Sequence, residues 1–376
     1  MRPEPAVSPP AGPVIRIATH SPLTGDRALL GAGIRDGARL AVEQRSDPLR
    51  DLGFRVEVVT FDDRASADVA RVNAERIVAD PDILLVIGHL TSNAALAAME
   101  IYQGADLALI SPANSDPALT GQGYRNVTRL VGRDDGEGTA AAEFAATDLR
   151  AKTAYVLHDG SATGQVVAAA FRRQAQERGV RILGEAALTA SSAATVDALA
   201  AARPAVVFLS MTFAQAGPLL REAAGRKLTA VFLGPDWLDS PALARSAGAG
   251  VVGLHYVTIA GPAAFYGVGI FEDDYLRRFG AAPPPFALQG FDAASLGLEA
   301  LAAAVRAAGG PPSRAQVTAA LRGIRTFRGL GGTLSFDEHG DPKEAAYFVI
   351  RVASANPAAW EQRVVARTLW LPPPVR

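Results

Sequence analysis

VIGHLTSNAALAAMEIYQGADLALISPANSDPALT, residues 86–120, contains two short apolar runs, each followed by a cluster of hydroxyl and amide side chains. The runs are typical of buried strands, and the Ala-rich stretch between them is typical of a helix. The polar clusters, HLTSN and SPANS, come where each strand should end. The order strand, helix, strand predicts a βαβ unit in a parallel sheet.

The same alternation extends through most of the chain and restarts once. The first set of strand-like runs is VIRIAT, FRVEVVTF, ILLVIG and LALIS, and after RNVTRLVGRDD a second set follows, AYVLHD, VRILGEAAL, AVVFLS and AVFLGP. Ala-rich helical stretches separate them, so we predict an α/β fold of two doubly wound parallel-sheet lobes. Long helical stretches and a capped helix, SRAQVTAALRGI, come next, and the chain closes on strand-like segments. The pattern leaves open which lobe these late elements join.

Composition excludes several classes of function. The 376 residues are 49% hydrophobic, enough for two or three domains, and the net charge of −1 gives no attraction to nucleic acid. The chain has no cysteine, which excludes thiol nucleophiles, disulfides and iron–sulfur centres. No apolar run approaches the roughly 20 residues of a membrane helix, so we expect no membrane insertion. The start, MRPEPAVSPPAGP, is rich in proline and has no apolar signal core, so we expect it to be a tether.

The segments that follow the strands are the candidates for a binding site. In open α/β sheets, ligands bind beyond the carboxyl ends of the strands, where helix N-termini offer free N–H groups. HLTSN (89–93) and SPANS (111–115) carry hydroxyls and amides but no acid, whereas GPDW (234–237) carries Asp236. Hydrogen-bond donors in one lobe and a carboxylate in the other would suit a zwitterion, which carries both an anionic and a cationic group. Ser92, placed to cap a helix from Asn93, and Ser115 are equally compatible with ordinary capping and turn roles, as Asp236 is with a turn.

Enzymatic interpretations find little support. GEGTAA (136–141) has the spacing of a dinucleotide-binding loop, but Asp134, Asp135 and Glu137 would repel a pyrophosphate. No G-x-S-x-G elbow is present, and the five histidines (His20, His89, His158, His255 and His339) lack any metal-ligand spacing. We therefore expect no catalytic residue, no metal and no cofactor.

Six blocks of the sequence resemble those of a known protein family. SPLTGDRALLGAGIRDGARLAVEQ, the segment 86–120, YVLHDGSATGQ, VFLGPDW, FDAASLGLEAL and GTLSFDEHGD resemble, in the same order, blocks of the leucine/isoleucine/valine-binding proteins of branched-chain amino-acid ABC transporters. The resemblance spans about residues 14–368. It implies a type I periplasmic binding protein fold, with two lobes joined by a three-strand hinge.

The resemblance also implies domain boundaries. Residues 1–13 would be the tether, 14–133 plus 259–336 the N-terminal lobe, and 134–258 plus 337–376 the C-terminal lobe. The expected crossings lie near Arg133, Thr258 and Phe336. A ligand would be clasped in the interlobe cleft.

The resemblance also implies ligand-binding roles for individual positions of this sequence. The resemblance implies that Ser92, Ala113 and Ser115 hold an α-carboxylate and that Asp236 holds the α-ammonium group. Relatives often carry aromatic rings at the positions of Leu30, Thr163 and Thr212, and these rings are missing here. Phe213 and Phe291 are candidates to fill the lost volume, although both are also typical core residues. We expect the ligand to be a branched-chain, bulkier aliphatic or aromatic amino acid, and the lost volume favours the bulkier or aromatic kinds.

The function implied by the resemblance is that of a non-catalytic, monomeric solute-binding protein of an ABC transporter. It would work in the periplasm, with an amino acid as its small-molecule ligand and a membrane permease as its partner. The alternative is a ligand-sensing regulator or receptor domain of the same fold that binds an amide or another small carboxylate, and a regulator would be cytoplasmic.

Overall fold

A computed structural model describes residues 12–188, 192–261, 268–360 and 364–374. Within these residues the chain forms two compact units. Unit 1 comprises 12–114, 118–131 and 268–342, and unit 2 comprises 115–117, 132–188, 192–261, 343–360 and 364–374. Residues 1–11 of the predicted tether lie outside the described residues. The domain boundaries inferred from the resemblance stay predictions.

Unit 1 is built on a five-stranded parallel sheet. Its strands, numbered in chain order, are β1 (Val14–Ser21), β2 (Arg55–Asp62), β3 (Ile83–Gly88), β4 (Ala108–Ser111) and β5 (Val127–Arg129). They are arranged β2-β1-β3-β4-β5. Every residue of β3 is buried, as expected for a central strand that is covered on both faces.

The helices of unit 1 come from both ends of the chain. They are α1 (Ala28–Arg45), α2 (Asp47–Asp51), α3 (Ala67–Ala79), α4 (Ser92–Gly104), α5 (Ala118–Gly121), α11 (Gly269–Phe279), α12 (Ala287–Ala308) and α13 (Arg314–Gly323). A hairpin of β11 (Thr326–Gly329) and β12 (Gly332–Ser335) follows α13. The predicted cap of α13 is present, because Ser313 and Gln316 form a reciprocal capping box.

Alternate residues of the unit 1 sheet pack into two cores. Leu85 and Ile87 of β3 point into the core that includes α1 and α12, whereas Val86 points into the core that includes α3 and α4. This follows from the two-residue repeat of a strand. Gly37 allows α1 and α12 to approach closely, since a Cβ atom there would lie 2.0 Å from the carbonyl oxygen of Ala287.

Unit 2 is built on a seven-stranded sheet. Its strands are β6 (Thr153–His158), β7 (Arg181–Ala187), β8 (Val206–Ser210), β9 (Val231–Gly234), β10 (His255–Thr258), β13 (Ala345–Arg351) and β14 (Val364–Leu371), arranged β14-β13-β10-β9-β8-β6-β7. Strands β13 and β14 run antiparallel to their neighbours, so this sheet is mixed at one edge. The sequence pattern had predicted parallel sheets alone.

The helices of unit 2 connect its parallel strands. They are α6 (Asp134–Thr147), α7 (Ala162–Glu177), α8 (Ser192–Ala202), α9 (Phe213–Gly225) and α10 (Pro241–Ala247), with short 3-10 helices at Asp236–Leu238, Gly248–Val251 and Pro357–Ala359. The predicted α/β fold of two lobes is therefore confirmed. Within the described residues, no helix is both long and apolar enough to cross a bilayer.

Candidate functional site

In unit 1 the polar segments 89–93 and 111–114 follow two neighbouring strands. β3 pairs with β4 in parallel, with Val86 opposite Leu109 and Ile87 opposite Ile110. The two segments therefore leave the same edge of the sheet. The sequence places them at the strand ends, and the pairing of the strands brings them side by side.

Asn114 joins these two segments. Its Oδ1 accepts hydrogen bonds from the backbone N–H of His89 at 3.2 Å and from Oγ of Ser111 at 2.8 Å. Its Nδ2 is buried and has no hydrogen-bond partner among the described residues. A buried amide without a partner is costly, so this donor is suited to a group outside the protein. Sequence reasoning did not select Asn114, because its side-chain contacts depend on the neighbouring strand.

Helix α4 begins one residue earlier than predicted. Ser92 is its first residue, and Thr91 occupies the N-cap position without a side-chain capping bond. Ser92 is therefore not the N-cap that the sequence predicted, since the chain turns into the helix at Thr91. The hydroxyl of Thr91 is buried and has no hydrogen-bond partner within the described part of the chain. The first turn of α4 also contains backbone N–H groups that have no acceptor within the helix itself.

The other predicted residues of unit 1 differ in exposure. Ala113 is buried in the segment after β4, and Leu30 is half-buried on α1. Phe291 is only 1% exposed and packs inside the unit 1 core, with its ring centroid 5.5 Å from that of Phe271 and 4.9 Å from the guanidinium carbon of Arg45. This environment gives Phe291 the role of a core residue, and we leave it out of the site proposed below.

In unit 2 the predicted residues again follow neighbouring strands. β8 lies between β6 and β9, with Ser210 opposite His158. Oγ of Ser210 donates to the carbonyl oxygen of Gly164 at 2.7 Å, which ties the end of β8 to the start of α7. Thr163, in the first turn of α7, is exposed.

Thr212 is exposed at the N-cap of α9. Its hydroxyl donates to Oε1 of Gln215 at 2.8 Å, and its backbone N–H donates to the same oxygen at 3.1 Å. Because the hydroxyl hydrogen is engaged, the Thr212 oxygen is left as an acceptor. It is therefore better suited to a ligand N–H than to a carboxylate.

Asp236 begins the 3-10 helix after β9 and is partly exposed. Pro235, which is buried, precedes it, and the Asp236 carbonyl accepts the N–H of Asp239 at 2.8 Å. Ser115 is half-buried and belongs by its contacts to unit 2, where its carbonyl accepts the N–H of Asp134 at 2.9 Å.

Glu137 contacts Asp236 although 99 positions separate them. Glu137 lies in the first turn of α6 and is completely buried, and its Oε2 accepts the backbone N–H of Asp236 at 3.1 Å. Burial, together with the negative charges of Asp236 and Asp134, raises the pKa of Glu137 well above its ordinary value. Sequence reasoning had used Glu137 only as an argument against a dinucleotide.

A buried cluster lies at the ends of β1, β2 and β3. His20, Asp63 and His89 each offer one possible ligand atom, a nitrogen or an oxygen, and these three atoms lie within 4.8 Å of one another. This spacing is short enough for the three residues to be considered as metal ligands. Nδ1 of His89 lies 2.8 Å from Oδ2 of Asp63, and Nδ1 of His20 lies 2.8 Å from the hydroxyl of Tyr102. Nε2 of His20 lies 3.3 Å from Nδ2 of Asn73, and Oδ1 of Asp63 accepts the N–H of Ala65.

Those bonds engage the polar atoms of the cluster except Nε2 of His89, which has no partner among the described residues. The cluster is therefore a hydrogen-bonded part of the unit 1 interior. The sequence did not reveal it, because the three residues follow different strands. Their only common feature in sequence is the position near a strand end.

The glycines of GEGTAA pack against protein. A Cβ atom on Gly136 would lie 1.8 Å from the hydroxyl of Tyr347, and one on Gly138 would lie 2.4 Å from the carbonyl oxygen of Val167. Atoms of β13 and α7 thus occupy the space through which a dinucleotide would have to approach the backbone of these glycines. This packing removes the main argument for a dinucleotide site.

Curated relatives align along most of the chain. An "Amino acid binding protein" of Pseudomonas aeruginosa is 29% identical over 342 residues, covering 89% of this chain and 88% of the relative. The "Leucine-, isoleucine-, valine-, threonine-, and alanine-binding protein" of the same organism is 29% identical over 351 residues, covering 90% of each.

Solved structures show the same fold. The leucine-binding protein LivK of Thermotoga maritima superposes with a TM-score of 0.72 at 24% identity, and the match covers 94% of this chain and 98% of LivK. The family model described as "Periplasmic binding protein" matches residues 14–357. This chain therefore belongs to the periplasmic binding protein family.

Proposed function

We propose that this protein binds a branched-chain, bulkier aliphatic or aromatic α-amino acid as the substrate-binding component of an ABC transporter. The proposed role is binding without catalysis, in the periplasm, with the ligand released to a membrane permease. We propose that the protein works as a monomer. The names of the aligned relatives, which bind amino acids, support the ligand class.

The observation that carries this proposal is the separation of chemistry between the two units. The strand-end segments 89–93 and 111–114 of unit 1 offer hydroxyls, an amide and helix N–H groups, and contain no acidic residue. The Thr91 hydroxyl and Nδ2 of Asn114 are buried there without partners among the described residues. Unit 2 instead carries Asp236 on the turn after β9. Donors suit a carboxylate, and a carboxylate suits an ammonium group.

Individual roles follow from this division. We propose that Ser92, Ala113 and Asn114 of unit 1 bind the α-carboxylate through hydroxyl, amide and backbone groups, together with Ser115, which follows Asn114 in the chain and belongs to unit 2. Asp236 would accept N–H bonds from the α-ammonium group. Leu30, Thr163 and Thr212 would surround the rest of the ligand. Because these three side chains are smaller than aromatic rings, we include phenylalanine beside leucine among the candidate ligands.

The direct test removes one charged group of the ligand at a time. Isothermal titration calorimetry would compare leucine and phenylalanine with 4-methylpentanoate, which lacks the ammonium group, and with 3-methylbutylamine, which lacks the carboxylate. We expect an amino acid to bind and both truncated ligands to lose about 100-fold or more in affinity, since each leaves desolvated polar groups unpaired. Equal binding of 4-methylpentanoate would contradict the role of Asp236, and equal binding of the amine would contradict the carboxylate site.

Matched variants test the residues themselves. Asp236→Asn should abolish measurable amino-acid binding, whereas Asp197→Asn, an exposed acid on α8, should not change it. Ser92→Ala should weaken binding by about 1–3 kcal/mol. Ser313→Ala removes a helix cap instead, because Oγ of Ser313 accepts the N–H of Gln316 at 3.2 Å. It should lower stability by about 1 kcal/mol and leave affinity unchanged.

A further inference from the structure

Asn114 is held through nearly all of its polar atoms, and Ser111 supplies two of the bonds. The backbone N–H of Asn114 donates to Oγ of Ser111 at 3.1 Å, and its carbonyl oxygen accepts from the guanidinium group of Arg129 at 3.1 Å. Oδ1 of Asn114 accepts from Oγ of Ser111 at 2.8 Å and from the backbone N–H of His89 at 3.2 Å. Within the part of the chain that the structure describes, Nδ2 is the one polar atom of this buried residue without a partner.

The chemistry of these partners fixes the orientation of the Asn114 amide. The backbone N–H of His89 can only donate, so the Asn114 atom that it contacts must be the oxygen and not the NH2 group. Oγ of Ser111 accepts the backbone N–H of Asn114 and directs its own hydrogen to Oδ1. A rotation of the amide by half a turn would bring the NH2 group against the N–H of His89, which is a second donor. Nδ2 is therefore held in place as a donor.

Ser111 is anchored in the rigid part of unit 1. It is the last residue of β4, and its carbonyl oxygen accepts the N–H of Leu130, just after β5, at 3.0 Å. Pro112 comes next, is buried, and has a φ angle that its ring fixes. Ser111 is 0% exposed, so water does not compete for the bonds of its hydroxyl group. The unit 1 sheet thus sets the orientation of the Asn114 amide through Ser111.

We propose that Ser111 is a positioning residue, which holds the Asn114 amide so that the Nδ2 donor is ordered before the ligand binds. This inference rests on the proposed function and deepens it. Binding normally includes an entropic cost for ordering the side chains that contact the ligand, and Asn114 is already ordered in the folded protein. The ligand group that binds Asn114 must be a hydrogen-bond acceptor, such as a carboxylate, and not a group that only donates, such as an ammonium group.

The first experiment needs no ligand. Hydrogen–deuterium exchange, measured by mass spectrometry on the peptides that contain His89 and Asn114, reports how well their backbone N–H groups are protected. In Ser111→Ala the N–H of Asn114 loses its acceptor, and Oδ1, the acceptor for His89, loses one of its two bonds. We expect both N–H groups to exchange about tenfold faster than in the wild-type protein.

Ser295→Ala is the matched control for the loss of a buried hydroxyl group. Ser295 is buried on α12 of unit 1, and its Oγ donates to the carbonyl oxygen of Phe291 at 2.8 Å. S295A should leave the exchange of His89 and Asn114 unchanged, because Ser295 bonds neither residue. Faster exchange at these two positions in S111A alone would therefore report the local loss of the Ser111 bonds.

The second experiment is a double-mutant cycle, in which calorimetry measures the affinity for leucine and for phenylalanine. Asn114→Ala should weaken binding by about 10- to 100-fold, because the ligand loses the Nδ2 donor. S111A should weaken binding by about 3- to 10-fold, because the Asn114 side chain must then be ordered on binding. The double variant S111A/N114A should bind as N114A does, within about twofold, since Ser111 acts only through Asn114.

A second substitution at Ser111 covers the case in which S111A does not fold. Ser111→Cys fills the space of the hydroxyl group with a thiol, which is a weak donor and a weak acceptor. S111C should show the same faster exchange and the same lack of additivity with N114A. Circular dichroism would establish that each variant is folded at the temperature of the binding measurement, and S295A should bind as the wild-type protein does.

The two experiments separate this inference from the proposed function. If neither leucine nor phenylalanine binds the wild-type protein, the proposed function fails, while the exchange experiment still decides whether Ser111 holds Asn114. Equal exchange of both N–H groups in S111A and the wild-type protein would overturn the inference. Equal affinity of S111A and the wild-type protein, or a loss in the double variant as large as the product of the two single losses, would overturn the positioning role and leave the proposed function intact.

Discussion

Arg129 and Asp341, which are 212 positions apart, form an ion pair in unit 1 with an Nε–Oδ1 distance of 2.7 Å. The two side chains are 0% and 1% exposed. The guanidinium group also donates to Oγ1 of Thr120 at 2.7 Å and to the carbonyl oxygen of Asn114 at 3.1 Å. Arg129 thus joins β5, α5 and the segment after β4.

Breaking this ion pair should strongly destabilise unit 1. Asp341→Asn leaves the buried guanidinium without its counter-ion, which should lower the free energy of unfolding by about 3–5 kcal/mol in urea titrations. Asp197→Asn removes the exposed partner of Arg226 and should have no measurable effect. Equal stability of D341N and the wild-type protein would refute the structural role of the pair.

Asn114 should control binding of the ligand carboxylate. Asn114→Asp retains Oδ1 as acceptor for His89 and Ser111 but replaces the buried Nδ2 donor by a negatively charged oxygen. Repulsion between like charges should then lower affinity for leucine by about 100-fold or more by calorimetry.

The matched control for that variant is Asn126→Asp. Asn126 is also buried in unit 1, and its Nδ2 donates to the carbonyl oxygen of Leu107 at 2.8 Å. N126D should reduce thermal stability without a comparable effect on affinity. If N114D bound leucine as well as N126D does, Asn114 would have no role at the carboxylate.

His20 should make stability depend on pH in the acidic range. Burial, and secondarily the charge of His89, lowers the pKa of His20 well below its ordinary value. Below about pH 6.5 the unfolded chain binds a proton at His20 and the folded chain does not, so stability should fall by about 1.4 kcal/mol per pH unit from this group. The fall should stop only below the lowered pKa.

Urea titrations from pH 7.5 to pH 5 would measure this slope. His20→Gln should lose the contribution of His20, whereas Tyr102→Phe, which removes the hydroxyl bonded to Nδ1 of His20 but keeps the imidazole, should retain it. Identical slopes for H20Q and the wild-type protein would show that His20 takes up its proton in the folded state.

Gly37 should be intolerant of a side chain. In Gly37→Ala the new Cβ atom would lie 2.0 Å from the carbonyl oxygen of Ala287, so α1 and α12 must move apart. We expect a loss of about 1–3 kcal/mol in the free energy of unfolding. Gly104→Ala, at the end of α4, has no atom within 4 Å of the new Cβ atom and should be neutral or stabilising by up to about 1 kcal/mol. Similar losses in both variants would contradict the steric argument.

Much of the fold was predictable because the signals are local. The strand β3 was evident as a short apolar run, and the cap of α13 from Ser313 and Gln316, which are three residues apart. Such features depend on neighbours within about one helical turn. The assignment of Ser92 to the N-cap was wrong by one residue, which is the usual uncertainty at a helix end.

The site was only partly predictable. The strand-end position of Ser92, Ala113 and Asp236 can be read from the order of strands and turns, and their proposed roles came from the resemblance to a family. Asn114, by contrast, became a candidate only because its side chain accepts a hydrogen bond from the backbone of His89, after the neighbouring strand. The burial of Phe291 in the unit 1 core depends on how α12 packs, which its sequence context does not reveal.

The amino-acid sequence by itself determined the two α/β lobes, the polar strand ends and the family. Periodicity, turn residues and motif order are local properties of the sequence and do not depend on tertiary contacts. The tertiary structure alone decided which distant side chains meet: Glu137 with Asp236, Arg129 with Asp341, and His20 with Asp63 and His89. The physical reason is that such contacts depend on strand order and helix packing, which bring together residues that share no local pattern. Buried charge pairing arises only after that packing has removed water.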